Sequence, residues 1–114
     1  MVRINLLSME EAVGQLYTFI MEFGGGTYIK QIEANSLKES LEKWLSLLDY
    51  REISGAGSGF AEYFINMSEE IDPVMVNGIK NVWCFSGIPM RQYCLVNVVM
   101  TVKSMRYAGL PEKQ

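Results

Sequence analysis

The chain has 114 residues, of which 49% are hydrophobic, 20% charged and 11% aromatic, with a net charge of −3. That is enough for one domain with its own core, and 1–114 reads as a single domain. The composition is too apolar and too weakly charged for a disordered chain, and no run of about 18 apolar residues points to a membrane span.

The missing residues exclude chemistry. There is no histidine. This removes the commonest general base, the Ser-His and Cys-His nucleophile pairs and the commonest metal ligand. Cys84 and Cys94 alone cannot complete a four-ligand zinc site, and they are not spaced as CxxC. No dinucleotide, phosphate-loop or HExxH motif occurs, and Gly24-Gly25-Gly26 runs into Thr27 without a following Lys-Ser/Thr pair. The chain is therefore expected to be no enzyme, with no cofactor and no metal.

In chain order, the start MVRINLLSMEE lacks the apolar stretch and cleavage site of a signal peptide. Residues 16–23, LYTFIMEF, alternate between a face of Tyr17, Phe19, Met21 and Phe23 and a mixed face. This predicts a strand. The three glycines supply a tight turn, and TYIKQIEA, 27–34, predicts the returning strand of a hairpin. Asn35 or Ser36 caps the clearest helix. Ser36-Leu37-Lys38-Glu39 fits a capping box. Leu37, Leu41, Trp44, Leu45 and Leu48 give the helix an apolar stripe that should pack on the hairpin, and Glu39–Lys43 is a favourable i,i+4 pair on its wet side.

Residues 51–59, REISGAGSG, read as a mobile glycine-rich loop, or alternatively as a short strand around Ile53. Phe60, Phe64 and Met67 predict a short amphipathic helix to about Glu70, broken by Asp72-Pro73. A further helical turn is expected at 73–76, with Pro73 at its first position. After a turn at Asn77-Gly78, residues 79–86, IKNVWCFS, predict a strand. Residues 92–104 predict a long central strand buried on both faces. The tail 107–114 reads as irregular.

The order implies α+β: an antiparallel sheet built from two β-hairpins, with one main and one or two short helices on one side. Trp44 and the pair Trp83 and Phe85 read as core. Tyr17, Phe19 and Phe23 are open to two readings, core or an exposed interface patch. Cys84 and Cys94, placed on paired strands, could approach each other. They read as reduced core thiols of a cytoplasmic protein. Arg91, near the tip of the second hairpin, reads as a solvated turn residue or a tip contact.

Charge is asymmetric. Residues 1–72 hold twelve acidic and five basic residues, and residues 73–114 one acidic and five basic. Glu62, Glu69, Glu70 and Asp72 form the densest acidic group, and Glu39, Glu42, Asp49 and Glu52 precede the glycine-rich loop. Ordinary solvated helix faces would account for them; an acidic face would also speed association with a basic partner. Such a face repels nucleic acid. The thin basic cluster Lys103, Arg106 and Lys113 carries no nucleic-acid motif, so neither nucleic acid nor membrane is expected as a partner.

EFGGGTYIKQIEANSLKESLEKWLSLL (22–48), GIKNVWCFSG (78–87) and the valine-rich strand resemble small bacterial α+β immunity proteins of toxin–immunity systems, including contact-dependent growth inhibition. These segments cover roughly half of the chain and are structural signatures, not catalytic motifs. The resemblance implies a protein that binds and blocks a cognate toxin, possibly a nuclease with a basic cleft. No toxin-contacting residue is carried over by motif. The charge layout nominates Glu52, Glu62, Glu69, Glu70 and Asp72, with the Gly55–Gly59 loop, as the partner-binding surface. The alternatives are a structural module that self-assembles through a sheet edge or aromatic face, and an antitoxin. The hairpin followed by SLKESLEKW is also similar to antitoxins with a partial ribonuclease-H-like domain, although their separate DNA-binding segment is not evident here.

Overall fold

A computed structural model describes residues 14–102 of the chain. The expectations for the N-terminal stretch, for the strand end at 103–104, for Lys103, Arg106 and Lys113 and for the tail lie outside the described residues.

The alternating aromatic run forms β1 (Gln15–Phe23), and the returning run forms β2 (Gly26–Ala34). A two-residue turn joins them. Gly24 and Gly25 have φ of 56° and 84°, the positive values that a type I′ turn requires at both positions and glycine adopts without strain. Ser36 caps α1 (Leu37–Ser46): its Oγ accepts from Glu39 N at 3.1 Å, and the Glu39 carboxylate accepts from Asn35 N at 2.8 Å. The capping box is thus complete. The backbone bond from Asn35 and the Lys43 ammonium hold the Glu39 carboxyl below the usual carboxylate range. Lys43 Nζ lies 3.4 Å from Glu39 and donates to the Glu33 carbonyl at 2.9 Å, fastening helix to hairpin.

A 3-10 turn at Tyr50–Glu52 leads to α2 (Gly59–Asn66). Between these elements and the last strands, the loop reading of 51–59 holds over its strand alternative, and the helical turn at 73–76 is not found. No strand forms around Ile53, which plugs the core as a single buried residue instead. The segment after Pro73 is a strand, β3 (Val74–Met75), and not a helical turn. Pairing with Trp83 and Cys84 supplies Val74 and Met75 with partners that a lone helical turn lacks. The next strand, β4 (Val82–Gly87), starts late, because Gly78 and Asn81 both take positive φ and turn the chain. β5 (Cys94–Val102) completes the fold.

The strands form one sheet in the order β2-β1-β5-β4-β3, with every neighbouring pair antiparallel. The fold is α+β, with both helices on one side of the sheet. β5 is central, as expected, but burial on both faces is not found. Cys94, Val96 and Val98 are sealed under the helices, whereas Leu95, Asn97 and Val99 on the other face are half-buried.

Trp44 anchors the core. Its ring stacks on Phe19 at 5.1 Å and meets Phe64 and Phe85 edge-on at 5.9 Å. Phe60 bridges Phe64 and Phe23. The reading of Tyr17, Phe19 and Phe23 as an interface patch is thereby excluded: all three are buried. Trp83 lies at the core margin, 6.4 Å from Tyr17. The thiols do not meet. Cys84 stands opposite Asn97 and Cys94 opposite Gly87, an odd number of positions apart in the ladder, so they point to opposite faces.

Candidate partner-binding groove

The glycine-rich loop is fastened at several points. Ser54 N donates to Tyr28 Oη at 2.9 Å, and Gly57 N lies 3.1 Å from Met90 Sδ. Met90 and Arg91, in the β4–β5 connection, both have positive φ although neither is glycine. Such backbone is strained and persists because its surroundings hold it. Here Pro89 is buried beneath the turn, and Met90 packs on Gly57.

The five carboxylates nominated from charge are all exposed, and none forms an intramolecular ion pair among the described residues. They do not line one common recess. Glu52 lines a small hollow of about 90 Å³ between β2 and the end of α1, with Lys30 and Leu48. Glu62 lines an open recess of about 660 Å³ between the ends of α1 and α2, beside Leu47, Tyr50 and Ile65. In that recess Arg51 is bonded to both oxygens of Asp49 at 2.9 Å, and this pairing holds the Asp49 carboxyl below its usual range.

Glu70 and Asp72 are brought together on a third feature, a groove of about 410 Å³. One wall is the C-terminal half of α2 and the turn after it, with Tyr63, Met67 and Ile71. The other is β4 and the start of β5, with Phe85, Ser86 and Tyr93. Glu69 adjoins the groove in the chain without lining it.

The groove exists because β3 is short. It covers only Trp83 and Cys84 of β4. Val76 N donates to Val82 O at 2.9 Å, so the backbone groups of Val82, Cys84 and Ser86 point away from β5. Those of Ser86 lie beyond the end of β3 and have no ladder partner among the described residues. The floor is apolar, the rim carries two carboxylates, and Val74 and Tyr93 stand at its mouth, each 63% exposed. This combination suits an extended segment with a basic side chain: a backbone hook, an apolar bed and anionic partners.

Tyr93, Val74 and Ser86 went unnoticed in the sequence. Tyr93 directly precedes the buried Cys94 and so falls on the opposite side of the strand, a placement that only the burial of Cys94 reveals. No helix among the described residues is long and apolar enough to cross a membrane. Comparison with known proteins finds no matching family model, no matching curated relative and no matching solved structure.

Proposed function

We propose that this chain is an immunity-type inhibitor that binds a basic protein toxin stoichiometrically and performs no chemistry of its own. The observation that supports the reading best is the groove at the short-strand edge, where Glu70 and Asp72 flank an apolar bed and the backbone of Ser86, which has no ladder partner among the described residues. A basic loop of the toxin would lie along β4 where β3 stops, its cation between the two carboxylates. Occlusion is then steric, with electrostatic attraction raising the association rate. In this reading the protein works in the cytoplasm, where the toxin acts.

The test begins with a tagged chain expressed in its source cells and mass spectrometry of any stoichiometric partner. The purified pair is then followed by stopped-flow association. Glu70→Lys/Asp72→Lys should slow association by about tenfold or more at low salt, an effect that fades as salt rises. Glu62→Lys, in a separate recess, should change it far less. Equal kinetics for the groove variant and the wild type would remove the groove from the proposal. A source-cell preparation yielding no stoichiometric partner would count against the inhibitor reading itself.

A further inference from the structure

The opposite edge of the sheet is β2, a strand of nine residues. Its register identifies the groups left open. The two-residue turn closes on the pair Phe23–Gly26, so Gly26, Tyr28, Lys30, Ile32 and Ala34 exchange ladder bonds with β1. The N–H and C=O groups of Thr27, Ile29, Gln31 and Glu33 therefore point outward. The Glu33 carbonyl accepts from Lys43. The backbone groups of Thr27, Ile29 and Gln31 have no partner among the described residues.

Natural sheets guard such edges with proline, bulges, short strands or charge. The β3 edge has such a guard: two residues, with Pro73 just before them. The β2 edge lacks proline, bulge and shortness, and its exposed charge, Glu33, lies outside the three residues with open backbone. Its pairing with β1 runs without a bulge from Gln15–Ala34 to Phe23–Gly26. Its one lysine, Lys30, is half-buried on the helix-bearing side beside Asp49. On the other side, Ile29 is 63% exposed.

We infer that β2 pairs antiparallel with β2 of a second copy across a two-fold axis at Ile29, joining the two sheets into one. The register follows from the groups available. With the axis at Ile29, Ile29 meets Ile29 and Thr27 meets Gln31, which engages the three residues with open backbone and leaves Glu33 to Lys43. Three such pairs exchange about six ladder bonds. An axis at Lys30 would set two lysines directly opposite each other, which is destabilising, and would need Glu33. An axis at Gln31 would pair Ile29 with Glu33 and compete with Lys43 for its carbonyl. In the chosen register Lys30 lies across from Tyr28, and no like charges face each other. The assignment is independent of the groove, which lies at the far edge of the sheet.

The experiment is sedimentation equilibrium of the full chain over a wide concentration range. Wild-type protein should associate reversibly to twice its 12.9 kDa mass. Ile29→Pro removes only an outward N–H and leaves the ladder to β1 intact. Ile29→Lys sets two cations opposite each other at the axis. Each should weaken association by about tenfold or more, with the circular dichroism of the monomer preserved. If the proline variant fails to fold, the lysine variant, changed at an exposed side chain, still decides the matter. In a Cys84→Ser background, Ile29→Cys should form an intermolecular disulfide on oxidation and Lys30→Cys should not. A wild-type chain that stays monomeric throughout overturns the inference. So does a dimer indifferent to both Ile29 variants. Cross-linking through Lys30→Cys in place of Ile29→Cys overturns the register.

Discussion

Cys94 shows how a single side chain reports its surroundings. It is fully buried on β5 beneath the helices, opposite Phe23 on β1 and Gly87 on β4. Burial disfavours the thiolate and pushes its pKa from an ordinary 9.0 up to about 12. The folded thiol therefore keeps its proton where the unfolded one has lost it. The stabilising contribution is complete below pH 9 and is lost as pH rises towards 12, at about 1.4 kcal/mol per pH unit. Urea unfolding should show this slope between about pH 9 and pH 11 in the wild type and its loss in Cys94→Ala, which isolates it from the titration of lysines and tyrosines. In Cys84→Ser protein, Cys94 should resist a thiol reagent until denaturant is added.

At the scale of elements, two contacts seat α2. Phe60 and Phe64 enter the core, and Tyr63 reaches over β4, where its hydroxyl accepts from Ile88 N at 3.0 Å. That approach needs a glycine. A Cβ at Gly87 would lie 2.9 Å from Tyr63 Cε2 and 3.0 Å from its hydroxyl, closer than real Cβ contacts. Gly87→Ala should destabilise the fold by about 1–3 kcal/mol, the usual range for overpacking. The urea midpoint should fall without a change in slope. In a Tyr63→Ala background the additional cost of Gly87→Ala should largely vanish; a penalty of full size there would place its cause elsewhere. Since Tyr63 also walls the groove, this contact ties the stability of α2 to the shape of the proposed binding surface.

For the whole molecule, one core on one face of one sheet implies one cooperative unit. Trp44 touches Phe19 of β1, Phe64 of α2 and Phe85 of β4, and so joins α1 to three other elements. Trp44→Ala should cost about 3–5 kcal/mol, a large share of the 5–15 kcal/mol typical of a domain. Circular dichroism and core fluorescence of the wild type should report one coincident transition, and the variant should lose both signals together at lower denaturant. Two separate transitions would show that the β3–β4 end unfolds independently of the hairpin. The two edges of the sheet differ at this same scale. The β3 edge is short and leaves the acidic groove open; the β2 edge is long and regular and offers a strand to a second copy.

Several features were legible because their causes are local. The alternation of Tyr17, Phe19, Met21 and Phe23, the paired glycines of the turn and the Ser36–Glu39 capping box each act within a few residues. They specified the first hairpin and α1 almost to the residue. The valine-rich run marked β5 as a strand, whereas the burial on both faces from which its central place was inferred is not found. Other features depend on which chain segments meet. Val74–Met75 became a strand because β4 lay alongside, overriding what Pro73 suggested locally. The five carboxylates were visible as charges, but only packing distributed four of them over three recesses and set Glu70 and Asp72 with Ser86 along one groove. Likewise, an alternating run such as β2 looks the same at the middle of a sheet and at its edge. Strand order, which no local pattern encodes, left Thr27, Ile29 and Gln31 facing outward.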